Sequence, residues 1–236
     1  MHRRLSRKRQ PELSASVVSA AQGEAMADTP VESDENRHEE LPEPRVGASQ
    51  DEVVTHWRAV TMREPGNVAA RRRLARSLEA RGEPVLAAEQ LEAARAQQPD
   101  NVSLIVELAH ALTGLRRFDI AERELKRALK LQPESADVYQ ALGVISLRRG
   151  LYAQAELELK RALELDPEFG TAYYYRGEAL NQLSRADEAL EMLGRAAQLQ
   201  PDNPRSYYLM GIVYDKKSRP QEAGTMYRKA REVGGA

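Results

Sequence analysis

Five prolines, Pro65, Pro99, Pro133, Pro167 and Pro201, stand 34 residues apart without a slip. A fixed period of this length means a stack of like supersecondary units, because each unit can bury its apolar face only against its neighbours. Registered on the prolines, the chain after residue 67 divides into units 68–101, 102–135, 136–169, 170–203 and 204–236. Counting places within a unit, place 4 reads Arg71, Ile105, Tyr139, Tyr173, Tyr207 and place 7 reads Leu74, Leu108, Leu142, Arg176, Met210. Place 8 is always small: Ala75, Ala109, Gly143, Gly177, Gly211. In the second half of each unit Ala87, Ala121, Ala155, Ala189 and Ala223 recur, followed by Leu91, Leu125, Leu159, Leu193 and Tyr227, then Ala94, Ala128, Ala162, Ala196 and Ala230.

Both halves carry helical spacing. Tyr139, Leu142 and Gly143 fall at i, i+3, i+4, and Ala155, Leu159 and Ala162 at i, i+4, i+7, so each set shares one helix face. Each unit is therefore two amphipathic helices. Glycine in a helix interior costs about 1 kcal/mol relative to alanine, so three glycines at one place require close packing; the expected partner is the recurring alanine of the second helix. The prolines end the second helices, and Asn67, Asn101, Ser135 and Asn203 stand where the next helix needs an N-cap acceptor. Phe169 alone breaks that rule. At place 7, Arg176 is expected to pack its stem and keep its head in water.

Small, Leu, Tyr, Ala, Leu and Pro at these offsets resemble the tetratricopeptide repeat, most visibly from Ala172 to Pro201 and in Tyr207, Gly211, Tyr214, Ala223 and Tyr227. The resemblance covers residues 68–236 and implies an all-α, right-handed α-solenoid of helix-turn-helix repeats. Residues 51–67 add a lone second helix, with Val53, Trp57 and Val60 at the places of Ala87, Leu91 and Ala94. This helix is expected to cap the array on unit 1. Unit 5 ends on its second helix, and its outer face, with Tyr227 and Val233, is a candidate contact for homo-oligomers.

The first fifty residues read as a charged, disordered tail. Residues 1–10 carry five bases and no acid, whereas residues 11–50 carry nine acids and two arginines among scattered Pro and Gly, with too few large apolar groups to offset the entropy of ordering. Three readings of the extreme N-terminus stay open: a weak secretory signal with its apolar run at Leu13–Ala21, a natural start at Met26, or a basic arm for an anionic partner. The last two leave the protein cytoplasmic; the first makes it periplasmic. An Arg-rich, Ala-rich composition, with 28 Arg against 7 Lys, points to a bacterial source. The acidic stretch of the tail is placed to reach an Arg-rich first repeat and occupy its own groove.

Chemistry is sparse. Zero Cys excludes disulfides, thiolate metal sites and a thiol nucleophile, and His2, His38, His56 and His110 lack metal-ligand spacing. No phosphate-binding glycine loop and no locally placed triad occurs, so neither an enzyme nor a cofactor protein is expected. Near-equal totals of 35 bases and 36 acids argue against a nucleic-acid binder, and no apolar run spans a bilayer. Pairs such as Glu122/Lys126 and Glu156/Lys160 read as i,i+4 surface pairs.

What remains is a surface. The resemblance implies a concave groove lined by the first helices, whose inward places are 2, 5, 6, 9 and 12. These supply Arg72, Arg73, Arg76 and Glu79 in unit 1, then Val106, Glu107 and His110, then Asp137, Gln140, Val144 and Leu147. Unit 4 gives Tyr174, Tyr175, Glu178 and Asn181, and unit 5 gives Arg205, Tyr208, Leu209, Ile212 and Asp215. The groove is thus basic at one end and aromatic or aliphatic at the other, which suits a peptide or helix of a partner protein with acidic and apolar parts. The carboxylate clamp of chaperone-binding members is disfavoured, because Glu107 stands where that clamp needs Asn. The function expected is a non-enzymatic scaffold or adaptor, with an envelope assembly factor resembling tetratricopeptide pilotins as the alternative.

Overall fold

The structure is a computed structural model, described for residues 43–235. The lone helix α1 (Gln50–Arg63) leads into five helix pairs. These are α2 and α3 (Val68–Ala80, Pro84–Gln97), α4 and α5 (Val102–Gly114, Phe118–Leu131), and α6 and α7 (Ala136–Arg148, Tyr152–Leu165). The last two pairs are α8 and α9 (Gly170–Gln182, Ala186–Leu199) and α10 and α11 (Pro204–Lys216, Pro220–Gly234). Among the described residues there is no strand. Every helix packs on the next in sequence; in addition the first helices touch across units, α4 on α6, α6 on α8 and α8 on α10, whereas no two second helices do. The first helices therefore line the inner face.

Local sequence sets the helix ends. Second helices stop at Arg63, Gln97, Leu131, Leu165 and Leu199, two residues before each periodic proline. Side chains of Asn67, Asn101, Ser135 and Asn203 accept from the backbone N–H groups of Ala70, Leu104, Val138 and Arg205, while Phe169 makes no cap bond. The expectation of a tail up to residue 50 is too long at its end, since Ser49 and Glu52 form a reciprocal capping box that starts α1 at Gln50. The rest of that expectation, with the signal, start-site and basic-arm readings, concerns residues outside the described ones.

Each first helix ends in a left-handed residue at place 15: Gly82, Arg116, Gly150, Ser184 and Ser218 have φ of 81°, 60°, 77°, 61° and 56°. The next N–H reaches back to a carbonyl of the last turn, as in Glu83 N to Leu78 O at 2.8 Å and Leu151 N to Ser146 O at 2.8 Å. Glycine adopts this conformation freely, whereas Arg116, Ser184 and Ser218 hold it at a cost of about 1 kcal/mol each.

The recurring Ala–Leu–Ala faces of α3, α5, α7 and α9 are all buried. The place-8 glycines, however, face mainly the large residue between those alanines; at Gly177 the expected alanine also comes close, with Ala189 O 3.3 Å from where a Cβ would stand. A Cβ on Gly143 would lie 2.5 Å from Leu159 Cγ, one on Gly177 2.7 Å from Leu193 Cγ, and one on Gly211 2.4 Å from Tyr227 Cε1. The large side chain of the second helix is seated on the bare glycine backbone. In α1 the buried face is also rotated: Val54, Trp57 and Val60 are buried but Val53 only half so. The side Val53 would turn to a first helix of its own unit has no such helix among the described residues.

Two polar departures from the repeat pattern are paired inside the stack. Arg176 donates from Nε and Nη2 to Glu156 Oε1 on α7, at 3.1 and 2.6 Å, with side-chain exposures of 19% and 11%. Its head is therefore not in water, and Glu156 is a buried ion-pair partner of Arg176 instead of a surface partner of Lys160. The Glu122–Lys126 pair does form, at 2.6 Å. Ser146, where a large residue usually stands, donates to Glu158 at 2.6 Å.

Ion pairs also tie neighbouring units across the loops, and they alternate. At place 14, Arg81, Arg149 and Lys217 bind the place-18 acids of the preceding unit, Asp51 at 3.0 Å, Asp119 at 3.4 Å, and Asp187. In units 2 and 4 the same places hold Leu115 after Val85 and Leu183 after Ala153.

Candidate interaction groove

Place 5 shows how the inner face is built. Each place-5 side chain points into the gap toward the next first helix, so its length decides whether it is covered. Val106 and Gln140 disappear there, at 9% and 6% exposure; Tyr174 is half-buried, and Tyr208, with no following first helix among the described residues, is 57% exposed. Val144, Leu147 and Leu209 are likewise buried. Val106, Gln140 and Val144 were expected in the groove; they instead fill the space between first helices and offer a ligand little surface.

At the N-terminal end, α2 and α4 do not touch through their backbones, and long side chains span the gap. Arg72 donates from Nε to Glu107 Oε2 at 3.0 Å and from Nη2 to Ser103 Oγ at 3.3 Å; Arg76 Nη2 reaches Glu107 Oε1 at 3.2 Å. Burial pushes the Glu107 carboxyl up, but the hydrogen bonds and charges of Arg72 and Arg76 more than offset this and hold it below the usual carboxylate range. Glu79 alongside is raised, by burial and then by the charge of Glu107. Glu107 thus consumes much of the basic character expected of this end. It also occupies from inside the two arginines that would grip a ligand carboxylate. His110 is exposed yet sits in the hollow of the face, where reduced solvation lowers its pKa against the pull of Asp137 and Glu107.

Arg73 departs from the groove. Its guanidinium lies 5.1 Å from the Trp57 ring centroid and pairs with Glu43, at the side of α2 that faces the preceding segment.

The C-terminal end is aromatic. Tyr174 and Tyr175 meet edge to face at 5.2 Å, Arg205 Cζ stands 5.0 Å over Tyr174, and Tyr208 lies 5.5 Å from Tyr227. Glu178 is half-buried with its pKa raised by burial, opposed by Arg148 and Arg205, and Ile212 is half-buried beside this cluster. Buried Asn181 accepts from Lys216 at 2.9 Å. Tyr174, Arg205, Tyr208, Tyr227, Ala230 and Arg231 border a hollow of about 760 Å³. No carboxylate among the described residues forms an ion pair with Arg205, which is held on an aromatic platform beside apolar walls. Of the expected site residues, the structure brings together Tyr174, Tyr175, Glu178, Tyr208 and Ile212 at this end and Arg72, Arg76 and His110 at the other. Tyr227 and Arg231 were not expected there, because the second helix contributes them.

Paired helices stacked with their first members inward define a helical-repeat solenoid, and among the described residues no cluster of metal-ligating side chains occurs. A tetratricopeptide repeat family model matches residues 54–102, 106–168, 147–204 and 182–236, and the chain belongs to that family. Among solved structures, the tetratricopeptide protein TTC0263 of Thermus thermophilus is 24% identical with a TM-score of 0.65, covering 70% of this chain and 91% of that one. MamA of Desulfovibrio magneticus is 20% identical with a TM-score of 0.56, covering 71% and 94%. YrrB, described as a tetratricopeptide protein with an unusual peptide-binding site, is 19% identical with a TM-score of 0.50, covering 75% and 91%. At these identities the likeness is one of fold. No curated protein sequence matches the chain. No helix among the described residues is long and apolar enough to cross a membrane.

Proposed function

We propose that this protein is a non-enzymatic adaptor that holds a peptide or helix of a partner protein at the C-terminal end of the groove. The observation that carries the reading is the exposed Tyr208 beside Arg205, a cation that forms no ion pair among the described residues, at the mouth of the 760 Å³ hollow. Tyrosine and arginine are the side chains that most often anchor interfaces, and together they suit a ligand that places a carboxylate next to an aromatic or aliphatic group. The fold is one on which a peptide-binding site is described, in YrrB.

The test is selection of peptides from a random displayed library on the full chain. Selected peptides are expected to pair Asp or Glu with an apolar residue. Tyr208→Ala combined with Arg205→Ala, both exposed and off the core, should weaken them about 30-fold, the equivalent of about 2 kcal/mol at an anchor pair. Helical circular dichroism should be unchanged. Peptides that bind both chains equally would move the site elsewhere.

A further inference from the structure

The hollow at the C-terminal end is a seat for a helix. Three of the residues lining it, Tyr208, Tyr227 and Arg231, stand at places 5, 24 and 28 of unit 5. In unit 4 those places hold Tyr174, Leu193 and Ala197, and there α10 covers them: Tyr174 and Leu193 pack with Leu209 and Val213, and Ala197 with Tyr207. Among the described residues no helix does the same for unit 5. Tyr208 is therefore exposed where Tyr174 is half-buried, and Arg231 is exposed where Ala197 is buried. By its places in the repeat, the hollow is the position of one more first helix.

The array itself specifies what such a helix presents to the unit before it. Ala172, Tyr175 and Ala179 of α8 pack on unit 3, and Leu209 and Val213 of α10 pack on unit 4, with Ser206 fully buried. Both helices thus follow one pattern, a small residue at place 3 and apolar or small residues at places 6 and 10, on a single face. Charge supplies the rest. Arg205 and Arg231 border the hollow, and neither forms an ion pair among the described residues. Pro204, which begins α10, and Gly234, which ends α11, line it beside them. Both cations therefore lie where a helix parallel to α10 begins, and acids in its first turn meet the arginines and the positive end of their own helix together. A second copy joined hollow to hollow would instead bring like charges face to face.

We propose that the hollow receives an α-helix of a partner protein, lying parallel to α10, with Asp or Glu at its first two places, a small residue at place 3 and apolar residues at places 6 and 10. This rests on the hollow being the partner site, and adds the conformation, direction and charge of the segment bound there.

The probe is a synthetic peptide of the length of α10 built on that pattern, fluorescently labelled, with a hydrocarbon staple on the face turned away from the hollow. Its binding to the full chain is read by anisotropy. The stapled peptide should bind about tenfold tighter than the same peptide with Pro at place 8, because the staple removes the ordering cost in advance and proline forbids the helix. Exchanging its acids for Lys should weaken it about tenfold. Arg231→Glu in the protein should restore the Lys peptide, whereas Arg228→Glu, on the same helix but off the hollow, should not. A stapled peptide that fails to bind, binds no better than its proline form or ignores the exchange of charge overturns the proposal. If library-selected peptides still depend on Tyr208 and Arg205 in that event, the site stands and its occupant is not a helix. Library peptides indifferent to those two residues would remove the site, and the helix with it.

Discussion

Replacing Arg176 by Leu, the residue of units 1 to 3 at that place, should destabilise the protein although it restores the repeat pattern. The guanidinium lies against Glu156 Oε1 at 2.6 Å and near Met192 Sδ at 3.5 Å, with the carboxylate side chain only 11% exposed. Removing one member of a buried pair leaves an uncompensated charge, at a cost of about 3–5 kcal/mol. Burying a leucine in its stead returns about 1.5–3 kcal/mol. The net expectation is a loss of about 2 kcal/mol, or roughly 4–8 °C in melting temperature for a domain of this size. Arg176→Leu with Glu156→Leu should recover the loss, because an apolar pair of similar volume is neutral or stabilising relative to a buried ion pair. The assay is thermal and urea unfolding followed by circular dichroism, run as a double-mutant cycle. In about 0.5 M salt the coupling should persist, since a pair this buried is poorly screened. A single Arg176→Leu variant as stable as the parent would refute the reasoning, by showing that Glu156 reaches water once released.

The glycines offer a matched contrast. Gly143→Ala forces a methyl group to within 2.5 Å of buried Leu159 and should cost about 1–2 kcal/mol after its gain in helix propensity, whereas Gly224→Ala, with nothing within 4 Å, should gain about 0.5–1 kcal/mol in the same unfolding assay. Tyr227 donates to Asp215 at 2.7 Å, and that hydrogen bond, with burial and the Asp215 charge, pushes its pKa up to about 12. With the folded pKa raised, the bond's contribution to stability is complete below the ordinary phenol value of 10 and is lost as pH climbs toward 12. Absorbance titration at alkaline pH should show Tyr227 among the phenols that ionise late, with Tyr174, which burial also raises, and Asp215→Asn should bring Tyr227 alone to lower pH.

Helix existence, pairing and the N-caps were legible because each depends on residues a few positions apart: Asn101 and Leu104, or the proline two residues beyond Leu131. The Ser49–Glu52 capping box was equally local and was readable. What the period could not supply is the offset between helices. It marked Gly143 as a close contact but not that Leu159, rather than an alanine, sits on it. It marked Arg176 as an exception but could not connect it to Glu156, which lies 20 residues earlier on another unit. Burial of Val106, Gln140 and Val144 depends on how near the next first helix comes, and a valine or glutamine is too short to emerge where a tyrosine does. The hollow was half visible: Tyr208 and Arg205 follow from the first-helix register, whereas Tyr227 and Arg231 join them only through the packing of α11.

The alternation of Arg81, Leu115, Arg149, Leu183 and Lys217 gives the array a grain coarser than its period. Excising one unit, for instance 102–135, would bring Arg149 against Val85 and leave it without Asp119 and Glu122, which are lost with their helix. Excising two, 102–169, would bring Leu183 against Val85, a junction of the kind already present. The piece that can be removed or duplicated with every loop contact kept in type is therefore 68 residues long. Length variants of this protein should gain and lose repeats in pairs.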